Sequence, residues 1–270
     1  VLGFAIAMGN NQVTDKGGNS RVVEPWVTID RVLGGRLMLR QPEVGYRFAI
    51  DPVLMAAAVP LRRGERVLDL GSGVGTASFC LLTREPNCEV TGVELQDDLN
   101  KLAINNAIDN GFDSAIKFIC GDLKNRKLIP AKTFDHVMAN PPHFADGSHT
   151  PPGHAGKATA NLEEGATLKD WVKAACYWAK DRGTVTFIHR ADRLHQVIQA
   201  MEGCCGDITI LPFWPRANRP ARRVLVQALK GSRGPARILP GITLHDPVDK
   251  YTADARAILE QGQALDLTSW

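Results

Sequence analysis

The chain has 270 residues, with 32 Lys and Arg against 29 Asp and Glu, so its formal net charge at pH 7 is +3. Hydrophobic residues make up 44% and charged residues 23%, which is typical of a globular protein and excludes a disordered, collagen-like or coiled-coil chain. No apolar run approaches the roughly 20 residues that cross a bilayer. The apolar start, residues 1–8, lacks a preceding basic residue, so we expect a cytoplasmic protein.

The first quarter of the chain predicts little regular structure. Residues 9–21 are polar and rich in glycine, so residues 1–27 are expected to form a flexible lead-in. A short strand is predicted at 36–39. Asp51-Pro52 then opens an apolar helix, with Asp51 as the predicted N-cap and Pro52 in the first turn.

From residue 66 onward, strand and helix patterns alternate. This alternation predicts an α/β fold with a mostly parallel seven-stranded sheet and helices on both faces. The last two of the seven strands have no helix between them and predict an antiparallel hairpin at the sheet edge. We expect one domain over 28–270, with a core at 66–230 and a C-terminal extension at 231–270. Predicted strands are 66–70, 89–94, 115–120, 134–139, 184–189, 207–213 and 222–229, followed by a short pair near 236–245; predicted helices are 76–84, 97–110, 168–180, 191–202 and 253–261.

A glycine-rich turn joins the first of these strands to its helix, in the run Asp69-Leu70-Gly71-Ser72-Gly73-Val74-Gly75. Glycines let the backbone turn tightly and approach a ligand closely. The third glycine comes one residue too early for the dinucleotide pattern, and a pyrophosphate would be repelled by Asp69. A methylsulfonium donor with a cationic amino-acid end would instead be attracted by this carboxylate.

Two further acids follow successive strands. Glu94, with Leu95 after it, ends the second strand and can accept hydrogen bonds from both ribose hydroxyls of a bound cofactor. Asp122, with Leu123 after it, follows the third strand and can accept a bond from an adenine amino group. Together with Gly71, Ser72 and Gly73, these residues favour S-adenosylmethionine as the ligand.

The fourth strand ends at Asn140-Pro141-Pro142-His143. An exocyclic amino group on an adenine, or a carboxamide nitrogen, is a poor nucleophile because its lone pair is delocalised. The Asn140 side-chain oxygen and the Pro141 carbonyl can each accept one N–H bond and so direct that lone pair toward a methyl group. Prolines keep the backbone rigid and leave the carbonyl available. The sequence therefore predicts methyl transfer to an amino nitrogen, which requires positioning more than a strong base.

With these motifs in place, the chain resembles class I S-adenosylmethionine-dependent N-methyltransferases with an Asn-Pro-Pro-aromatic motif. Within that class, Gln41-Pro42, the segment 45–51 and the tail pattern 251–255 resemble bacterial tRNA(Val) (adenine-N6)-methyltransferases. The resemblance implies that residues 28–65 cap the cofactor and that Tyr46 lies over it. It also implies that Asn140, besides acting on the substrate, borders the cofactor.

The chain departs from this family at one position. The residue after the two prolines is usually an aromatic side chain that stacks on a flipped base, whereas here it is His143, with Phe144 next. Either side chain could stack on the base, and His143 could also act as a catalytic base.

The sequence indicates the methyl acceptor less specifically than the cofactor. Residues 208–245 contain no acid but several basic residues, and Arg216 and Arg219 are predicted to contact RNA phosphates. The first hypothesis is a tRNA adenine-N6 methyltransferase; a protein glutamine-N5 methyltransferase, a small-molecule methyltransferase and a non-catalytic cofactor-binding module stay open. The six cysteines show no C-x-x-C pair, so neither a metal site nor a disulfide framework is expected.

Overall fold

The computed structural model describes residues 12–14, 20–22, 26–44, 47, 49–142 and 165–269. In chain order the strands are β1 (Gln12–Thr14), β2 (Ser20–Val22), β3 (Val27–Val32), β4 (Leu37–Pro42), β5 (Arg66–Leu70), β6 (Glu89–Glu94), β7 (Ile116–Cys120), β8 (Phe134–Ala139), β9 (Ala179–Arg190), β10 (Cys205–Trp214), β11 (Arg223–Lys230), β12 (Arg237–Ile238) and β13 (Ile242–Thr243).

The α-helices are α1 (Asp51–Ala58), α2 (Thr76–Arg84), α3 (Asp97–Asn110), α4 (Leu168–Trp178), α5 (Leu194–Met201) and α6 (Ala253–Leu259), with 3₁₀ turns at Leu33–Gly35 and Ala191–Arg193. Within the described ranges, none of these helices combines the length and the apolar character that a membrane span requires.

The main sheet confirms the predicted α/β architecture. Its seven long strands run in the order β7-β6-β5-β8-β9-β11-β10. Only β11 runs antiparallel to its neighbours, because a short hairpin joins it to β10 and it lies between β10 and β9. The tail strands β12 and β13 each pair with β10 in parallel rather than with each other. The predicted edge hairpin is therefore present, but the tail covers its outer strand.

Alternating side chains of the central strands build a core on each face of the sheet. On β5, Val67 packs into the cluster that contains α1, α2 and α6. Its neighbours Leu68 and Leu70 pack into the cluster of α4 and α5. A strand that is buried on both faces is expected at the centre of a parallel sheet. Because β5 is held in this position, the loop that follows it begins at a fixed place.

The hairpin of β3 and β4 lies against α3 through side-chain amides. Asn106 Oδ1 accepts the Arg40 backbone N–H at 2.7 Å, and Asn110 Oδ1 accepts the Met38 N–H at 3.1 Å. Asn106 Nδ2 also donates to the Val74 carbonyl at 3.0 Å. Asn106 therefore ties the N-terminal hairpin to the loop between β5 and α2.

Candidate active site

The parallel register brings the ends of three strands to one edge of the sheet, here called the carboxyl edge. Leu70 at the end of β5 pairs with Val93 of β6 on one side and with Ala139 of β8 on the other. Glu94 at the end of β6, Gly71 after β5 and Asn140 after β8 therefore lie level with one another. Ligands in open α/β sheets bind in the crevice at such an edge.

The glycine-rich loop after β5 is held tightly against this edge. Gly71 and Gly75 have φ values of 68° and 89°, which an L side chain rarely adopts. The Gly71 N–H donates to the Val93 carbonyl at 2.8 Å. A Cβ on Gly71 would lie 2.4 Å from the Trp171 ring, whereas a Cβ on Gly73 would meet no atom within 4 Å. The loop is thus packed behind Gly71 and open in front of Gly73.

Glu94 fixes the open part of this loop. One carboxylate oxygen accepts the Gly73 N–H at 2.9 Å and the other accepts the Gln96 N–H at 2.9 Å. Glu94 is only 6% exposed. A carboxylate oxygen has two lone pairs, so each oxygen retains the capacity to accept a further bond from a diol.

Asp69 lies beneath the loop and is also buried. Its carboxylate accepts a hydrogen bond of 2.8 Å from the Ser78 hydroxyl on α2. Burial raises the pKa of Asp69 to about 7; the Ser78 bond lowers it in part, and the charge of Glu94 raises it further. A positive charge placed near this carboxylate would favour its ionised form.

Several buried polar atoms around the loop have no hydrogen-bond partner among the described residues: the hydroxyls of Ser72 and Thr76, and Oδ1 of Asn100 on α3. Buried polar groups are normally satisfied, so unpaired ones indicate a ligand or water. Together with the open space at Gly73 and the buried carboxylate of Glu94, they fit a polar cofactor such as S-adenosylmethionine. Thr76 and Asn100 were not predicted; only their burial reveals them.

The remaining predicted cofactor residues flank the crevice. Asp122 is half-buried and accepts the Lys124 N–H at 2.8 Å, which fixes the turn after β7. Leu123 is buried, whereas Leu95 is 66% exposed. Leu95 therefore contributes an accessible apolar surface beside Glu94, and Leu123 supports the turn from below.

The tetrapeptide after β8 lies next to the glycine-rich loop. Asn140 is half-buried, Pro141 is buried and Pro142 is exposed. Since Ala139 pairs with Leu70, Asn140 lies level with Gly71. The predicted substrate residues His143 and Phe144, and the predicted cofactor residue Tyr46, lie outside the described residues.

Comparisons with known proteins indicate the type of enzyme. A family model described as "Methyltransferase domain" matches residues 61–185. A tRNA1(Val) (adenine(37)-N6)-methyltransferase of Actinobacillus succinogenes is 23% identical over 220 residues, covering 81% of this chain and 91% of that protein. A protein of the same name from Haemophilus influenzae (strain PittGG) is 32% identical to this chain over 110 residues, covering 40% of this chain and 47% of that protein.

The chain is an S-adenosylmethionine-dependent methyltransferase with the class I fold. The crystal structure of a predicted O-methyltransferase from Agrobacterium tumefaciens superposes on it with a TM-score of 0.67 at 25% identity, covering 79% of this chain and 97% of that one. S-adenosylmethionine is accordingly the methyl donor of this methyltransferase, as the glycine-rich loop and its acids predict.

The basic residues between 208 and 245 lie in two regions of the structure. Arg216 and Arg219 are exposed in the loop that joins β10 to β11. Because Arg223 pairs with Arg190 at the end of β9, this loop projects from the carboxyl edge. Neighbouring strands lie about 4.8 Å apart, which places the loop about 10–14 Å across the sheet from β8.

The rest of that stretch does not extend the same surface. Lys230 ends β11 at the opposite edge, where its ammonium donates to the Ala179 carbonyl at 2.7 Å. The Arg237 guanidinium donates to the Thr209 hydroxyl and to the Leu267 carbonyl. The basic residues between 208 and 245 therefore do not form one continuous surface, because Lys230 and Arg237 lie away from the loop that carries Arg216 and Arg219.

Proposed function

We propose that this methyltransferase transfers a methyl group to the exocyclic N6 amino group of an adenine in tRNA. The observation that carries the proposal is the position of Asn140-Pro141-Pro142, directly after β8 and level with Gly71. The names of the relatives that span most of the chain support the same acceptor.

Asn140 and Pro141 would act by orienting the amino group. A planar amino group donates two N–H bonds, and the Asn140 side-chain oxygen and the Pro141 carbonyl would accept one each. This arrangement turns the nitrogen lone pair toward the crevice and holds it in line for displacement. The new N–C bond forms from that lone pair, and the proton leaves the nitrogen afterwards. Pro141 and Pro142 would keep both acceptors rigid, because neither proline can rotate freely about φ.

The donor would be held by the loop and its neighbouring acids. When bound, S-adenosylmethionine supplies an electrophilic methyl group. Glu94 would accept hydrogen bonds from the ribose hydroxyls, and Asp122 a bond from the adenine amino group. Asp69 would stabilise the cationic amino-acid end, and Ser72 would donate from a hydroxyl that has no partner among the described residues. Tyr46, Gly73 and Leu95 would complete the contact surface, and Leu123 would support the turn that carries Asp122.

The RNA would approach across the carboxyl edge. Arg216 and Arg219 would contact phosphates at a distance of two or three strands from Asn140, while His143 or Phe144 would stack on the flipped base. Arg223 is less available, because its guanidinium donates to the Asp51 carboxylate at 2.6 Å. This pattern separates a phosphate-contacting surface from the residues that orient the base.

The test is to incubate the protein with methyl-labelled S-adenosylmethionine and three separate acceptor pools: tRNA that lacks this modification, cell protein and small metabolites. Digestion of the RNA and identification of the labelled nucleoside as N6-methyladenosine is the expected result. Label on a glutamine side chain, on a hydroxyl group or only in the metabolite pool would overturn the adenine assignment.

A further inference from the structure

A cluster of three cysteines lies outside the methyl-transfer site. Cys176 is near the end of α4, Cys204 is in the turn after α5, and Cys205 begins β10. Their sulfur atoms all lie within 4.8 Å of one another, with 3.4 Å between Cys176 Sγ and Cys205 Sγ. The sequence does not reveal this cluster, because Cys176 is separated from the other two by a strand and a helix.

We propose that Cys176, Cys204 and Cys205 bind one thiophilic metal ion of the Cu(I) class through three thiolates. Thiolate–metal bonds of about 2.3 Å place three sulfur ligands about 4 Å apart around a central ion. The observed sulfur positions already approach this triangle. Soft sulfur ligands select Cu(I) and related ions over hard, oxygen-preferring cations.

The number of ligands favours a three-coordinate ion. Among the described residues, only these three cysteines form a group with metal-ligand spacing. Structural zinc sites take four protein ligands almost without exception, and three thiolates leave such a site incomplete. Cu(I) is satisfied by three sulfur ligands.

One basic residue lies beside the cluster. Lys230 is the β11 residue that pairs with Cys205 in the register of the two strands. Binding one Cu(I) by three thiols would release up to three protons and leave a net charge of −2, which Lys230 partly offsets.

The cluster is accessible and separate from the crevice. Cys176 is buried, but Cys204 and Cys205 are half-buried and allow an ion to enter. Cys205 pairs with Lys230 at the beginning of β10, at the edge of the sheet opposite Asn140. An ion here would join α4 to the α5–β10 turn and stabilise the fold without touching the methyl-transfer residues.

The experiment adds Cu(I), buffered by a competing chelator under anaerobic, reducing conditions, to the full chain and to two single variants. The expected result is one copper ion per chain by native mass spectrometry and a higher Tm with copper. Cys204→Ser should weaken copper binding at least 100-fold, whereas Cys120→Ser, which changes an exposed cysteine at the other edge, should not.

Circular dichroism without copper shows whether Cys204→Ser is folded; if it is not, Cys205→Ser replaces it. Copper binding that is equal in the wild type and in the folded cluster variant would overturn the proposal. Methyl transfer should be unchanged in the folded variant.

Discussion

The two edges of the main sheet treat their buried polar groups in opposite ways. At the amino edge, His136 is buried with both ring nitrogens engaged, Nδ1 at 2.7 Å from the Thr184 hydroxyl and Nε2 at 2.8 Å from the Glu65 carboxylate. At the carboxyl edge, the buried hydroxyls of Ser72 and Thr76 have no partner among the described residues. The buried His136 at the amino edge is therefore satisfied within the chain, whereas the unpaired hydroxyls at the carboxyl edge leave hydrogen-bonding capacity for a ligand.

The carboxylates of the two edges differ in whether a cation offsets the effect of burial on their pKa. Partial burial opposes the charge of Asp135 at the amino edge, but bonds from Lys180 and the Arg66 N–H outweigh it and lower its pKa. No Lys or Arg in the described part of the chain pairs with Asp69 at the carboxyl edge, and burial raises its pKa to about 7. The comparison teaches that, on this sheet, an uncompensated buried carboxylate is a marker of the functional edge.

The largest expected effect is on the pH dependence of stability through Asp69. A raised native pKa means that the folded protein retains a proton that the unfolded chain has lost, so this group lowers the free energy of unfolding as the pH rises from about 4 to about 7. At 1.36 kcal/mol per pKa unit the loss is about 4 kcal/mol. Asp69→Asn should remove it, as urea unfolding at several pH values would show.

The matched control is Asp135→Asn at the amino edge, where the pKa of the carboxylate is lowered instead of raised. Its lowered native pKa stabilises the fold above the unfolded value of 3.8 and loses this contribution as the pH falls through the native pKa. The variant should therefore be less stable than wild type at neutral pH, with a difference that shrinks in acid. Parallel pH profiles for both variants would contradict the contrast between the edges.

The next effect concerns catalysis. Asn140→Ala should reduce kcat by about 10²-fold or more, because the amino group loses one of its two orienting acceptors. Calorimetric affinity for S-adenosylmethionine should change little. Asn87→Ala, an exposed asparagine at the amino edge, should retain full activity. Equal activity in both variants would remove Asn140 from the proposed mechanism.

Glu94→Ala should weaken cofactor binding by about 10- to 100-fold, since hydrogen bonds to a charged group contribute about 1.5–3 kcal/mol. The loss includes loosening of the loop, because Glu94 accepts the Gly73 N–H. Glu89→Ala, at the exposed opposite end of the same strand, is the control for isothermal titration calorimetry and should leave the affinity unchanged. A similar loss in both variants would show that β6, and not the Glu94 carboxylate, matters.

The smallest effects are expected at the loop between β10 and β11. Arg216→Ala and Arg219→Ala should each reduce the slope of log K against log salt for tRNA binding by about 1. Arg233→Ala, an exposed arginine beyond the far end of β11, should leave this slope unchanged. Equal slopes for all three variants would contradict the division of the basic stretch.

The sequence predicts best where one pattern determines both packing and chain direction. The bounds of β5, α2, β6 and α3 agree with the predicted ones, because buried strands alternate with helices and Gly111 ends α3 in the left-handed region. The prediction of Asp51 as an N-cap is wrong; Ile50 occupies that position, and Asp51 is the first helical residue and pairs with Arg223.

Long-range neighbours could not be predicted. Strand β3 was not predicted, because its alternation of apolar and polar residues is weak and only its pairing with β4 defines it. Trp171 lies behind Gly71 although 100 residues separate them in the chain, and local patterns contain no information about that contact. The cysteine cluster and the separation of Arg216 and Arg219 from Lys230 and Arg237 could not be predicted for the same reason.

Asn140 is proposed to orient an amino group on the acceptor base. The most direct measurement compares two valine tRNA transcripts, one with adenosine and one with inosine at the nucleotide that the protein methylates. Inosine has an oxygen in place of the N6 amino group, so we expect methyl transfer to the adenosine tRNA and none at the inosine. Methylation of both nucleosides at equal rates would contradict it.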